Sequence, residues 1–286
     1  MREILKMKPI LAGFAIIGIL SVSCEEKKQK EVDPDPFEAE FEKLQANHLD
    51  WWTYHNINMD LSSEFSPLNR KGEEISKKTF LEQLTTGKYI PLKVDSSDSS
   101  STYKLYRLTS EAAAEISPTI KNTSQTEFRH FLMERQKLPE FNFKDLQGNT
   151  ITSENTKGKN LIVKTWFINC KPCIAEMPDL NEFVEAHRDN EDLLFLSLAL
   201  DSEEDLKNFL SKTEFKYAIV PKQESYIQEN LGLSAYPTHL VVDKNGVIQK
   251  VVNKADKMMA FVDQKIHEPE MEKTAAPPPP PPPPGG

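Results

Sequence analysis

Cysteine is scarce in this chain of 286 residues, which has three, and that scarcity limits the possible metal chemistry. Neither a second Cys-x-x-Cys pair nor a histidine pair at metal-ligand spacing is present, so we predict no metal, and we predict no cofactor either. An excess of basic residues is also missing: the formal net charge is −9, which argues against nucleic-acid binding. The apolar run Ile10–Leu20 has eleven residues, too short to cross a bilayer comfortably.

The N-terminus has the features of a targeting signal. Basic residues precede the apolar run, and small residues lead from it to Cys24. Leu20–Cys24 resembles a bacterial lipoprotein signal, in which the cysteine takes the lipid, although Ser21 stands where such signals usually carry a large apolar residue. We therefore predict an exported protein, anchored to the cell envelope by lipid on Cys24 and facing the periplasm or the outer surface. The alternative is an ordinary secretory signal with an incidental cysteine.

Composition divides the chain into five parts. Residues 1–24 are the predicted signal peptide, and the charged, proline-broken stretch 25–36 predicts a disordered tether. Residues 37–136 predict a small mixed domain of unknown role, and residues 137–266 predict a second domain. The tail 267–286 contains eight consecutive prolines and predicts a disordered segment.

The first of the two predicted domains mixes helical and strand patterns. Its predicted elements are a helix from Phe37, a helix from Ser76 closed by Gly87, strands Tyr89–Val94 and Tyr103–Leu108, and a helix over about 125–136.

Beyond Leu138, strands alternate with helices, and the chain then closes with a hairpin and a helix. This order predicts an α/β domain with a mixed sheet. The predicted elements are a hairpin turning at Gly148, strand 161–167, helix 172–187, strand Leu193–Leu198, helix Glu203–Leu210, strand Tyr217–Val220, strands His239–Asp243 and Val247–Val252, and a helix near Ala255–Ile266.

The sequence Cys170-Lys171-Pro172-Cys173 lies where a predicted strand passes into a predicted helix. Free N–H groups and the helix dipole favour the thiolate form of Cys170, Pro172 suits a first helical turn, and Lys171 adds a positive charge. Cys173 lies one turn deeper and is less exposed. We predict that Cys170 attacks a partner's disulfide and that Cys173 resolves the mixed disulfide. Half of a metal site and a purely structural disulfide are the alternatives.

The residues around this pair carry a family resemblance. The chain contains Trp166-Phe167-x-x-Cys170-x-Pro172-Cys173-x-x-Glu176-x-Pro178, the distant Tyr236-Pro237-Thr238 and the lead-in Phe143-x-Asp145-Leu146-x-Gly148. Leu138–Ile266 thereby resembles the thioredoxin fold and, within it, the TlpA/ResA-like membrane-tethered thiol–disulfide oxidoreductases. The predicted fold is an α/β, thioredoxin-like mixed sheet flanked by helices and preceded by a small α+β N-terminal domain.

The resemblance implies that Tyr236–Pro237 is a cis peptide bond facing the cysteines, where Tyr236 could pair with a bound polypeptide. Disulfide-containing proteins are the predicted substrates, and a membrane thiol carrier is a possible electron donor. The predicted substrate contacts are Tyr236, Pro237, Trp166, Lys171 and Pro172.

Glu176 is the third predicted catalytic residue, because in the resembling family an acid at this position lies close to the cysteines. A partly buried carboxylate with a raised pKa could accept the proton that Cys173 releases. Lys164 creates a conflict, since it stands where thioredoxin has a buried aspartate. A buried Lys164 needs a carboxylate partner, and pairing with Glu176 would lower the pKa of that carboxylate.

These observations predict an exported thiol–disulfide oxidoreductase that reduces protein disulfides. One alternative is a redoxin-type peroxidase, although Val163 and Phe167 stand where its proline and hydroxyl residue would be. The other is a non-enzymatic binding module on a thioredoxin scaffold, with residues 37–136 holding the partner.

Overall fold

The computed structural model describes residues 35–97 and 100–267. The predicted signal peptide with Cys24, nearly all of the predicted tether and all but the first residue of the predicted tail lie outside these ranges, so those predictions stay untested. Within the described ranges, no helix combines the length and the apolarity needed to pass through a membrane.

The N-terminal region packs helices around a small sheet. Strand β3 lies between β1, which is parallel to it, and β2, which is antiparallel. The predicted second helix and both predicted strands are present, whereas β1 was not predicted. The elements are α1 (Glu38–Ala46), α2 (His48–Asn58), β1 (Phe65–Leu68), α3 (Lys77–Leu84), β2 (Tyr89–Ser97), β3 (Ser100–Arg107) and α4 (Ile116–Met133).

Helix α3 shows how the sequence builds this region. The Ser76 side chain accepts the N–H of Thr79 at 3.1 Å, which caps the helix. Phe80, Leu81 and Leu84 recur on one face, are fully buried, and belong to an apolar core of their own with residues of α1, α2 and both longer strands. The aromatic residues of this region therefore contribute mainly to its core.

The C-terminal region contains a five-stranded sheet in the order β10-β9-β6-β7-β8. Strands β6, β7 and β8 are parallel, while β9 and β10 are antiparallel to their neighbours. This arrangement confirms the predicted thioredoxin-like mixed sheet flanked by helices. The elements are β4 (Asn142–Lys144), β5 (Thr150–Thr152), β6 (Asn160–Trp166), α5 (Lys171–Ala175), α6 (Met177–Ala186), β7 (Leu193–Ala199), α7 (Glu203–Leu210), β8 (Ala218–Val220), a π-helical turn (Tyr226–Asn230), β9 (Thr238–Val242), β10 (Ile248–Val252) and α8 (Ala255–His267).

Both faces of the central strand β6 are covered. Leu161 and Val163 belong to one apolar cluster, and Ile162 and Trp166 belong to the cluster on the opposite face, which also contains residues of α6 and α8. Because side chains alternate along a strand, Lys164 lies on the same face as Ile162 and Trp166. The fold thus places a lysine inside the core, on the face of the sheet that carries the cysteine pair.

The chain between the two regions is held against the sheet. Arg135 donates its N–H to the Ile248 carbonyl at 2.7 Å, and Ile248 donates its own to the Gln136 carbonyl at 2.8 Å. The described residues from Phe37 onward fall in one compact unit. The domain boundary predicted between residues 136 and 137 stays a prediction.

Candidate active site

The two cysteines form a disulfide at the start of α5. Cys170 is the N-cap residue of that helix, its Sγ accepts the N–H of Cys173 at 3.3 Å, and the two Cα atoms are 5.2 Å apart. Cys173 has no exposed surface, whereas Cys170 is 5% exposed. The outer sulfur therefore belongs to Cys170, as the sequence predicts.

Residues next to Cys170 form an exposed rim. Asn169, Lys171 and Pro172 are all exposed, which leaves Lys171 and Pro172 accessible to a partner. The loop that leads from β6 to Cys170 is held by a hydrogen bond in which the N–H of Ile168 donates to the carboxylate of Asp201 at 2.8 Å. Asp201 was not predicted, since an acid after a buried strand carries no distinctive signal.

The Tyr236–Pro237 segment lies beside this loop. Its peptide bond is cis, as the resemblance implied. The ring of Tyr236 meets the ring of Phe167 edge-on, with centroids 5.5 Å apart. Asn253 donates its side-chain N–H to the Pro237 carbonyl at 2.6 Å and to the Thr238 hydroxyl at 3.0 Å. Asn253, which sequence reasoning missed, therefore ties the end of β10 to the predicted substrate-contact segment.

Trp166 requires a correction. We predicted a substrate contact, but its side chain is completely buried in the core cluster that also contains both cysteines. Its indole N–H donates to the hydroxyl of Ser197 on the neighbouring strand. The tryptophan is thus a core residue, and a partner protein at the surface has no access to it.

Glu176 meets two basic side chains. Its Oε1 accepts a hydrogen bond from Nζ of Lys164 and lies 3.0 Å from Nε2 of His239. Lys164 and His239 are completely buried, and the Glu176 side chain is 14% exposed. Of the two possibilities raised by the sequence, the pairing of Lys164 with Glu176 is the one that occurs.

Burial and pairing act in opposite directions on these three groups. Burial lowers the pKa of Lys164 and of His239, while the nearby Glu176 carboxylate acts to raise both. For Glu176, burial acts to raise the pKa, but the hydrogen bond from His239 and the charge of Lys164 outweigh it, so the pKa lies below its usual value of 4.5. The predicted raised pKa is therefore wrong.

The helix after the cysteines is divided at Glu176. Helix α5 ends at Ala175, α6 begins at Met177, and Pro178 lies in the first turn of α6, where its missing N–H is tolerated. The sequence predicted one helix over 172–187, whereas the structure has two. At this break Glu176 contacts Lys164 of β6 and His239 of β9, while Cys173 lies within α5.

Residues 35–97 and 100–267 contain no group of three or more His, Cys, Asp or Glu side chains that could hold an ion. Lys164, Glu176 and His239 form a network of one carboxylate and two basic side chains.

Comparisons with known proteins centre on this region. Residues 135–251 match the model of the AhpC/TSA family. A protein of Bacillus cereus named thiol-disulfide oxidoreductase ResA is 27% identical over 139 residues, which cover 46% of this chain and 80% of that protein. The ResA of Bacillus thuringiensis subsp. konkukian is 31% identical over 120 residues, covering 41% of this chain and 68% of that one.

A solved structure also aligns with this region. It is the crystal structure of the thioredoxin domain of a thiol-disulfide oxidoreductase from Bacteroides vulgatus, with 24% identity and a TM-score of 0.43. The alignment covers 46% of this chain and 97% of that one.

Proposed function

This chain belongs to the ResA-like thiol–disulfide oxidoreductases, and we propose that it reduces disulfides of other proteins through a Cys170/Cys173 dithiol. The observation that carries the proposal is the disulfide at the start of α5, in which Cys170 borders an exposed rim and Cys173 is completely buried. An outer nucleophile and an inner resolving thiol are what sequential disulfide exchange requires.

The reaction begins from the dithiol form. The Cys170 thiolate attacks one sulfur of the partner's disulfide, that S–S bond breaks, and the partner's other sulfur leaves as a thiolate. Cys173 then loses its proton and attacks the Cys170 sulfur. The mixed disulfide breaks, the partner leaves with two reduced sulfurs, and Cys170 and Cys173 remain joined as a disulfide. Two electrons have passed to the partner.

Glu176 is the proposed acceptor of the proton from Cys173. Cys173 lies in α5, and Glu176, three positions further on, is the C-cap residue of that helix, so the two side chains project from neighbouring points of its surface. The carboxylate is ionised near neutral pH because its pKa is lowered. It can therefore take the proton as the new S–S bond forms.

Substrate contact is proposed for Tyr236, Lys171, Pro172 and also Pro237, which is buried, as Cys170 is. Lys171 and Pro172 are exposed beside Cys170, and Tyr236 is partly exposed against Phe167. A polypeptide could lie between these two sides while its disulfide meets Cys170. A groove of about 700 Å³ beside Ile168 and Asn169, lined also by Asp201 and Phe209, offers room for residues that flank the disulfide.

Each turnover would leave the pair oxidised, which is the form in the structure. A thiol donor must then return two electrons, and we propose a membrane thiol carrier for this role. We also propose that the chain is exported and anchored by lipid on Cys24. The basic start, the apolar run and the position of Cys24 support this location, and the oxidising surroundings of exported proteins make a donor necessary.

The reduction potential of the pair tests the direction of electron flow. The full chain in detergent is equilibrated in graded thiol buffers, and a value near that of thioredoxin, about −270 mV, is expected for a reductase. A value near about −120 mV would identify an oxidant instead. A pair that does not cycle would contradict both directions.

Activity is tested by reduction of insulin disulfides with dithiothreitol as the donor. Cys170→Ser should abolish the reaction, and Cys173→Ser should accumulate a mixed disulfide with the substrate. Little consumption of hydrogen peroxide is expected, because Phe167, three residues before Cys170, has no hydroxyl group. Rapid peroxide turnover would favour the peroxidase alternative.

The anchor is tested separately in a bacterial host. Wild-type protein should fractionate with membranes and take up a labelled fatty acid, and Cys24→Ala should lose the label. A labelled Cys24→Ala protein would contradict the proposed anchor.

A further inference from the structure

The interior of the active site contains a charged network that a disulfide exchanger does not need for sulfur chemistry alone. We propose that Lys164 and His239 are positioning residues that hold Glu176 as an ionised proton acceptor next to Cys173, so that the resolving step continues in acidic surroundings; this rests on the proposed function. Neither residue touches the reacting sulfurs in this role. Both act through the carboxylate.

The sheet register brings the two basic residues together. Lys164 of β6 and His239 of β9 are direct partners in the antiparallel pairing of these strands. Side chains of partner residues project from the same face, so the lysine and the imidazole lie side by side. Their hydrogen bonds both reach Oε1 of Glu176, which leaves the lone pairs of Oε2 to receive a proton.

The contact with Glu176 fixes the form of the imidazole. An ionised carboxylate only accepts hydrogen bonds, so Nε2 of His239 carries the hydrogen and donates it. Nδ1 is buried and finds no partner among the described residues, as expected for the bare nitrogen of a neutral ring. The histidine therefore contributes a directed hydrogen bond, and Lys164 contributes the balancing positive charge.

Two other titratable groups lie near this network, and neither supplies the positive charge that Lys164 provides. Asp256 of α8 acts on His239, and the Glu176 carboxylate acts on Tyr217. The Tyr217 hydroxyl is buried, and burial raises its pKa far above the ordinary value, so it stays uncharged. Asp256 would add negative charge, which makes a nearby carboxylate harder to ionise. The hydrogen bond from His239 and the positive charge of Lys164 together keep Glu176 ionised in the protein interior.

The pairing makes Glu176 a weaker base but keeps its carboxylate ionised over a wider range of pH. A carboxylate with a lowered pKa is a weaker base than one that titrates near pH 7. It nevertheless remains unprotonated at pH values near 5, where an unpaired buried carboxyl group would already hold a proton. Each resolving step moves one proton from the Cys173 sulfur to Glu176, from which it passes to solvent before the next turnover.

A single-turnover reaction of the full chain separates the two sulfur steps. Reduced protein is mixed with 4,4′-dithiodipyridine, which releases one thiopyridone when Cys170 forms the mixed disulfide and a second when Cys173 displaces it. The rate of the second release is measured from pH 4 to pH 8. In the wild-type protein, protonation of Glu176 should cause no decrease in the rate of the second release above pH 5.

Lys164→Met should move the acid fall of this profile toward neutral pH, because only His239 then opposes the effect of burial, which raises the pKa of Glu176. The second release at pH 5, relative to pH 8, should drop about tenfold against wild type, the change expected for a pKa one unit above the working pH. Lys164→Arg should retain the wild-type profile. His239→Leu, which serves also if Lys164→Met fails to fold, should shift the profile in the same direction.

Glu176→Gln is the control, since it removes the acceptor. It should slow the second release at every pH, and adding Lys164→Met to it should cause no further shift. A uniform slowing in Lys164→Met and His239→Leu, with the pH profile unmoved, would mean that both residues only support the structure, and the proposal would fall. A wild-type chain that releases only the first thiopyridone would contradict the proposed function itself.

Discussion

Lys164 lies directly opposite His239 in the pairing of β6 with β9, and both side chains bond to the same oxygen of Glu176. Two buried basic residues at one register position would be unstable without the carboxylate, because burial disfavours the charged form of each. The division of the helix at Glu176 places that carboxylate over them. The stability of the sheet and the state of the site are therefore coupled.

Removing one member of the ion pair should destabilise the protein. Lys164→Met leaves Glu176 without its charge partner, and we expect a loss of about 3 kcal/mol in the free energy of unfolding at pH 7, measured by urea denaturation. The double variant Lys164→Met/Glu176→Gln should recover most of this loss, because neither charge then remains buried. An additive double variant would show that the two residues do not interact.

The pH dependence of this pair has a definite sign. The pKa of Glu176 is lower in the folded protein than its ordinary 4.5, so the pair stabilises the fold above that value. The contribution should disappear as the pH falls through the folded-state pKa. The difference in unfolding free energy between wild type and Lys164→Met should accordingly begin to shrink as the pH falls through the raised pKa of Glu176 in the variant, and should stop shrinking below the lowered pKa in wild type.

Glu127 should give the opposite pH dependence. Burial, assisted by the negative charge of Asp60 and opposed by Lys250 and Lys77, raises its pKa to about 7. The folded protein holds this proton more tightly than the unfolded chain, so stability falls as the pH rises from about 4.5 to 7 and the loss then levels off. Glu127→Gln should remove this fall and stabilise the protein by about 2–3 kcal/mol at pH 8.

The measurement for Glu127 is the midpoint of urea unfolding between pH 5 and pH 8. Glu111→Gln, which removes an exposed carboxyl group, controls for the change in net charge. Equal pH dependence in wild type and Glu127→Gln would contradict the assigned environment of Glu127.

Gly87 should tolerate no side chain. Its φ is +69°, and a Cβ atom there would meet the Ser117 carbonyl oxygen at 2.7 Å. Gly72 has a similar φ of +79° but has nothing within 4 Å of that position, so it is a matched control. Gly72→Ala should cost about 1–2 kcal/mol for the left-handed backbone. Gly87→Ala should cost about 1–3 kcal/mol more, because the start of α4 must also shift. Equal losses in thermal or urea unfolding would contradict this contact.

Much of the C-terminal region could be predicted because its signals are local. The apolar run that becomes β6, the turn at Gly148 and the Cys-x-x-Cys pair at a strand-to-helix junction each identify an element from neighbouring residues. The family resemblance predicted the cis peptide bond before Pro237, which the structure contains. The position of Lys164 within an apolar strand predicted a carboxylate partner, because a buried lysine is strongly destabilising when it is unpaired.

The rest depends on contacts between distant parts of the chain. Helix α4 begins at Ile116, nine residues before the predicted start. Pro118 is tolerated there because it falls in the first turn. The early start was missed because the polar residues that follow have weak helix propensity. His239 reads as an ordinary strand residue until the register of β9 against β6 is known. Trp166 looked like part of a surface motif, yet strand alternation turns its side chain into the core.

Asn253 should matter for large substrates in particular. It holds the Pro237 carbonyl and the Thr238 hydroxyl, and Asn253→Ala removes both hydrogen bonds, each contributing about 1 kcal/mol. A loosened Tyr236–Pro237 segment should lower the rate of insulin reduction severalfold. Reaction with 4,4′-dithiodipyridine should stay near the wild-type rate, because a small disulfide needs only the cysteines.

Asn181 provides the matched control for Asn253, since it is also half-buried and also makes two hydrogen bonds. Its side chain donates to the Glu214 carbonyl and accepts from the Lys216 N–H, both at 2.9 Å. Asn181→Ala should lose similar stability and leave both reactions unchanged. If Asn253→Ala slowed both reactions equally, its hydrogen bonds would serve the dithiol rather than the polypeptide, and Tyr236 and Pro237 would lose their proposed role in substrate contact.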